Sequence, residues 1–161
     1  MSKAPGPVYT LIAELAAGWT ARDAAAVSAL FDAADPEVTY LAADALDPAT
    51  GAAAIARAIA ERCAGAARIA WRAHGVHARE LGDGLAMAFM LVDKAAAERG
   101  APLAAQQVRA TLICGRRAGR WLILHYAEAP LAPLLELQAF YEQVAAQGLD
   151  AIPPRPWGPP A

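Results

Sequence analysis

The sequence predicts an α+β fold, with helices first and an antiparallel sheet after them. Three observations predict it. Residues 106–126, QQVRATLICGRRAGRWLILHY, form two apolar runs rich in β-formers, joined by a short basic turn with a glycine, which is a β-hairpin pattern. Upstream of the hairpin, apolar residues recur at helical spacing in three short segments. Between these regions lie two further strand-like runs hinged at Gly82-Asp83-Gly84. Helices grouped ahead of meandering strands place the helices on one side of the sheet.

In chain order, Val8, Ile12, Leu15 and Trp19 fall at i, i+4, i+7 and i+11 and share one helix face, with Gly18 near the helix end. Asp23 is placed to cap a second, short helix with Val27, Leu30 and Phe31 inward. Asp35-Pro36 stops it. Residues 37–41 read as a short strand, Asp47-Pro48 as a turn and Thr50 as a cap. Residues 52–63 then form a third helix with Ile55 and Ile59 inward. Residues 67–80 and 85–93 read as a strand pair, and 94–103 as a polar loop with Gly100 and Pro102. After the hairpin, Pro133 suits the first turn of a C-terminal helix. Its stripe is Leu134, Leu137, Tyr141 and Val144, and Gly148 is its stop. Residues 1–150 are expected as one domain. Residues 151–161, rich in proline, are expected as a tail that is neither helix nor inner strand.

At 161 residues the chain is long enough for one domain with its own core. A net charge of −2 offers no basic face to nucleic acid. No run reaches the roughly 18 apolar residues of a membrane span, and the opening MSKAPGP lacks the apolar centre of a signal peptide. Cys63 and Cys114 match no metal spacing and read as reduced thiols of a cytoplasmic protein. His74 and His77 lie an odd spacing apart on one strand, so they are expected on opposite faces and make a poor metal pair. No nucleophile motif, phosphate loop or cofactor motif appears. The second hairpin strand is apolar on both faces, which requires cover on both. The expected outer cover is a second copy of the chain, a homodimer using Leu122, Leu124 and Tyr126.

The order helix, helix, short strand, helix, then four long antiparallel strands resembles the nuclear transport factor 2-like superfamily. That group includes SnoaL-like polyketide cyclases, ketosteroid isomerases and the association domain of calmodulin-dependent kinase II. Three stretches carry the resemblance. Trp19-Thr20-Ala21-Arg22-Asp23 with Leu30-Phe31 is similar to the first helix pair, and Gly51-Ala52-Ala53-Ala54-Ile55 to the start of the third helix. Arg116-Arg117-Ala118-Gly119-Arg120-Trp121-Leu122-Ile123-Leu124-His125 is similar to the final hairpin of the kinase association domain. Together they span roughly residues 8 to 130. The resemblance implies a curved antiparallel sheet wrapped around the helices, enclosing a conical pocket. Relatives often carry a second histidine and a serine after the first histidine, where this chain has Ala127 and Ala129.

Candidate site residues follow from the strand faces. Alternation places His125 with Trp121 and Ile123 on the core face, either as an acid or base near neutral pH or as a satisfied core histidine. Arg109 is placed to clamp a carboxylate, if the hairpin register turns it inward, or otherwise to serve an ion pair or the dimer face. Trp19, Tyr40, Trp71, Met87 and Phe89 are core or pocket lining. Glu128 and Asp44 stand at strand ends, near the expected mouth of the cone. Two functions fit. One is a homodimeric module binding a small apolar or carboxylate-bearing ligand, with Trp19, Trp71, Arg109, Trp121 and Glu128 in contact. The other is a SnoaL-like or ketosteroid-isomerase-like enzyme abstracting a proton beside a carbonyl with His125, Tyr40 and Asp44.

Overall fold

The amphipathic stripe of the first helix folds as read. Helix α1, Pro7–Ala21, buries Val8, Leu11, Ile12, Leu15 and Trp19, and ends where Arg22 turns left-handed at φ 56°. Asp23 accepts a hydrogen bond from the Ala26 amide and caps α2, Ala24–Ser28. The residue that caps α3, Ala52–Gly65, is Gly51 at φ 81°, not Thr50, and it offers no side-chain bond. Ile55 and Ile59 point inward from α3, as the spacing requires. The computed structural model describes residues 6–97, 104–131 and Glu142. The chain divides into two compact units, Met1–Pro130 and Leu131–Ala161. The expected C-terminal helix, apart from Glu142, and the proline-rich tail lie outside the described residues.

The first unit is built on a six-stranded open sheet of order β2-β1-β6-β5-β4-β3. Its strands are β1 Thr39–Leu41, β2 Ala49–Thr50, β3 Arg68–Gly82, β4 Leu85–Ala97, β5 Ala104–Arg117 and β6 Arg120–Pro130. All pairings are antiparallel except one: β1 runs parallel to β6, with Tyr40 beside Tyr126. Both hairpins close on two-residue turns, Asp83-Gly84 and Ala118-Gly119, whose residues all take positive φ. The inner sheet face presents Ala86, Ala88, Met90, Val92, Val108, Ala110, Leu112 and Cys114, all buried in one cluster with the helices. Among the described residues no helix is long and apolar enough to cross a membrane.

Three expectations are corrected here. Lys94 to Ala97 are strand, not loop, because β3 pairs with all four and β5 with Lys94, Ala95 and Ala96. The alanine run that follows Lys94 has weak strand preference, and pairing on both sides overrides it. The second correction concerns β6. It carries one extra residue: Ile123 pairs with Cys114, His125 pairs with Ile113, and Leu124 has no opposite number. Below this bulge Trp121 and Ile123 face inward; above it Tyr126 and Glu128 do. His125 is therefore on the outer face, and Tyr126, expected outside, is core. The third correction concerns β3. A bulge at Gly75-Val76, with Gly75 at φ 58°, leaves His74 opposite Leu91 and His77 opposite Phe89. Leu91 and Phe89 are two apart on one strand, so both histidines share the outer face.

The β6 bulge sits where the free edge of the strand changes partner. Ile123 exchanges backbone bonds with Leu30 and Asp32, whereas His125 to Ala127 pair with β1. Asp32 is buried, and its carboxylate accepts from the Ala34 amide and from Arg117 Nε, fastening the segment after α2 to the hairpin.

Gly18 lies inside α1, where it lets α2 come close. A Cβ at this position would stand 2.8 Å from Val27 Cγ2, and Val27 is fully buried. Alanine is the better helix former, yet Gly18→Ala should destabilise by about 1–3 kcal/mol through overpacking. Urea denaturation of the two proteins measures this. A rise in stability would show that the α1–α2 contact has slack.

Candidate functional site

Alternation brings side chains of four elements to one place. On β1 and β6, the parallel partners Tyr40 and Tyr126 stack with ring centroids 5.7 Å apart and 17° between planes. Trp19, from the last turn of α1, tilts against Tyr40 at 6.4 Å, and Phe31 meets it edge-on at 6.0 Å. Two residues beyond Tyr126, on the same face of β6, stands Glu128. On β4, Lys94 points to this side with Val92 and Met90.

Glu128 is the buried acid of the site, and each of its oxygens is held. Oε1 accepts from the Tyr126 hydroxyl at 2.8 Å, while Oε2 accepts from the Ala43 amide at 3.1 Å and from Lys94 Nζ. The Glu128 side chain is 3% exposed and that of Lys94 17%. A carboxylate this far from water stays charged only with such partners. Burial, and then the negative charge of Glu128, push both tyrosine phenols far above their ordinary value. Both stay protonated, and Tyr126 can only donate to Glu128.

A second pair closes the outer part of the site. Arg62, from the last turn of α3, donates twice to Asp44, at 2.7 and 3.1 Å. This two-pronged bond holds the Asp44 carboxyl below the usual aspartate range. Between the two pairs lies a cleft of about 760 Å³. Trp19, Tyr40, Trp71, Arg62, Lys94 and Glu128 border it, and its remaining wall is largely alanine: Ala58, Ala66, Ala95, Ala96, Ala104 and Ala105. Small side chains at these positions leave the volume open. A second cleft of about 650 Å³ adjoins it and shares Trp71, Lys94, Ala95, Ala105 and Gln106. Lys94 borders both.

Of the residues singled out in the sequence, the fold brings Trp19, Tyr40, Asp44, Trp71 and Glu128 to the main cleft. It does not bring His125, Arg109 or Trp121. His125 is half-buried on the outer face, where Nδ1 lies 2.6 Å from Thr39 Oγ1. Arg109 is exposed on that same face, opposite Ala129 and Leu91. Trp121 is buried near the hairpin turn. The trio His125, Tyr40 and Asp44 thus does not converge. Lys94, Arg62 and Tyr126 were missed. Lys94 was hidden in an apparent loop, although one signal stood in the sequence: of fourteen basic residues only Lys3 and Lys94 are lysine. Among the described residues no cluster of three or more metal-ligating side chains occurs.

The sequence model of the SnoaL-like domain family matches residues 8–133. Among proteins with curated functions, none matches the chain in sequence. Many solved structures share the fold. A candidate dehydratase of the NTF2-like family from Streptomyces avermitilis aligns at TM-score 0.71 and 18% identity, over 79% of this chain and 96% of that one. An uncharacterized protein with a cystatin-like fold from Caulobacter vibrioides aligns at 0.67 and 16%, over 87% and 95%. A ketosteroid isomerase-like protein from Erwinia carotovora atroseptica aligns at 0.66 and 12%, over 83% and 100%. At these identities the likeness is one of fold.

Two outcomes check the geometry. Tyr126→Phe removes a donor from a buried carboxylate and should destabilise by about 1–3 kcal/mol in chemical denaturation, while an unchanged midpoint would mean the Tyr126–Glu128 bond contributes nothing. Arg62→Gln should raise the Asp44 pKa toward the ordinary aspartate range, read from its side-chain carboxyl resonance. Because the folded value is the depressed one, the pair stabilises above the ordinary aspartate range and loses this as pH falls through the folded value. Asp44 is 60% exposed, so the stability change is small and the resonance is the better readout.

Proposed function

The chain belongs to the SnoaL-like domain family, and from that premise we propose that it is a small-molecule-binding domain whose ligand lies in the cleft between α1, α3 and the inner sheet face. The observation that carries this reading is the cleft itself: an aromatic and alanine wall around one lysine whose charge is already matched by a buried glutamate. Ligand sites of this size are mostly apolar with a few placed polar groups. Trp19 and Trp71 supply flat apolar surface, and Lys94 supplies the donor for an oxygen atom of the ligand. Arg62 and Lys94 are both spoken for by carboxylates, and Glu61 adds a further negative charge to the lining. An apolar ligand with an oxygen acceptor therefore suits the wall better than a free carboxylate.

The proton-abstraction alternative has weaker support. It needs a base in the cleft. His125 opens on the other face, and Asp44 is held at low pKa by Arg62.

We further propose that two copies pair through the outer sheet face. It exposes Phe89 at 39%, beside the half-buried Met87, Leu91, Ile113, Leu122 and Leu124. An apolar strip of this extent is more than an isolated domain ordinarily leaves in water.

The cleft reading is tested with 1-anilinonaphthalene-8-sulfonate and neutral aromatic ketones as probes, followed by tryptophan fluorescence. Saturable quenching is expected for the ketones. Ala105→Phe, at an exposed wall position, should weaken it by about tenfold or more with the fold intact. Binding unaffected by a filled wall would place the ligand elsewhere. For assembly, light scattering at micromolar concentration should give twice the chain mass, and Phe89→Glu should return one. A monomeric mass for the unsubstituted chain would overturn the pairing.

A further inference from the structure

The positive charges of this chain are almost all arginine. Twelve of the fourteen basic residues are arginine, and the two lysines are Lys3 and Lys94. Lys94 is thus the one lysine within the sheet, and it is the one that borders both clefts. Arginine stays charged in proteins and is the better partner for a buried carboxylate, since it forms two parallel bonds where lysine forms one. The chain uses such an arginine pair at Arg62 and Asp44, at the same cleft. At the more buried pair it carries lysine instead. The property lysine has and arginine lacks is a proton it can lose, which exposes a nucleophilic nitrogen.

The surroundings of Lys94 suit that use. Among the described residues its single polar partner is Glu128 Oε2. Glu128 is fixed from behind by Tyr126 and by the Ala43 amide, so it meets Lys94 in one orientation. It can take a proton from the ammonium and return it. Among the described residues no other amine and no thiol lines the cleft.

We infer that Lys94 is a nucleophile toward the carbonyl carbon of an aromatic aldehyde or ketone bound in the cleft, and that Glu128 carries its protons. This rests on the small-molecule reading above. The ammonium gives one proton to the Glu128 carboxylate, and the freed amine attacks the carbonyl carbon as the C=O π pair moves to oxygen. That oxygen receives a second proton from the nitrogen, giving a neutral carbinolamine. Glu128 then passes its proton to the hydroxyl, which leaves as water while the nitrogen lone pair forms C=N. The product is a protonated Schiff base. Two protons have left nitrogen and both are in the water. The positive charge is still on nitrogen and still faces the Glu128 carboxylate, so the buried ion pair is the same before and after. That conservation of charge is what makes the step compatible with a pair as buried as Lys94 and Glu128.

The experiment uses the full chain with 4-hydroxybenzaldehyde and sodium cyanoborohydride, which delivers hydride to the iminium carbon and fixes the adduct as a secondary amine. Intact mass and peptide mapping locate and time the adduct. Lys94 is expected to react about a hundredfold faster than free Nα-acetyl-lysine, the scale of acid–base assistance, and faster than Lys3 in the same molecule. Glu128→Gln should remove most of that advantage. Lys94→Arg should abolish the adduct at that position. Reaction at Lys94 no faster than at Nα-acetyl-lysine, with saturable quenching retained, overturns the nucleophile and leaves Lys94 an anchor for the ligand. Absence of both quenching and adduct overturns the cleft reading as well. The rate comparison in the unsubstituted chain decides the matter even where a variant fails to fold.

Discussion

Strand β6 must satisfy two different neighbours along one edge, and the rest of the molecule depends on how it does so. At Ile123 it bonds to the segment after α2, and from His125 onward it bonds to β1. These neighbours cannot both be met by an unbroken pleat, and the unpaired Leu124 makes the change. One residue of slip reverses every later side chain. Without it Tyr126 and Glu128 would point outward, Tyr40 would lose the ring stacked on it, and Lys94 would lose the carboxylate it now meets. A backbone irregularity of one residue thus decides which chemistry the cleft contains.

The two ion pairs of the cleft differ in what they do energetically. Arg62 and Asp44 are partly in water, and their attraction is damped by it. Lys94 and Glu128 are mostly out of water, where a lone charge of either sign would be costly. The hydroxyl of Tyr126 and the amide of Ala43 complete the shell of Glu128, and among the described residues no buried side-chain nitrogen or oxygen lacks a hydrogen bond. The outer pair tunes the mouth, whereas the inner pair is a commitment of the fold. Its polar groups are held ready before any ligand arrives.

The order of elements was legible because it rests on period. Val8, Ile12, Leu15 and Trp19 could share a face only in a helix, and the two hairpins announced themselves with Asp83-Gly84 and Ala118-Gly119 at tight turns. Asp23 was legible as a cap because its chemistry is local. Faces were legible only up to the first irregularity. Nothing in the alternation of Leu122 to Tyr126 marks which residue is extra, because the cause is the distant segment Leu30 to Asp32. Gly75, the one glycine in the interior of β3, passed unremarked in the sequence, because its meaning depends on pairing with β4. Lys94 was passed over because alanines follow it. Trp19, Tyr40, Asp44, Trp71 and Glu128, which border the cleft, were singled out because aromatic residues and strand-end carboxylates stand out without any register. His125 and Arg109 were misplaced or left open because their faces needed one.

The two bulges together put every imidazole ring of the sheet on one side of it. All three histidines of the chain, His74, His77 and His125, stand on the outer face, while Trp19 and Trp71 stand at the cleft. The molecule therefore carries two native sets of spectroscopic labels that do not overlap. Imidazole resonances report on whatever covers the sheet from outside, and the indole N–H resonances of Trp19 and Trp71 report on what fills the cavity. An event that moves one set and leaves the other still can be assigned to its side of the sheet without introducing any foreign probe.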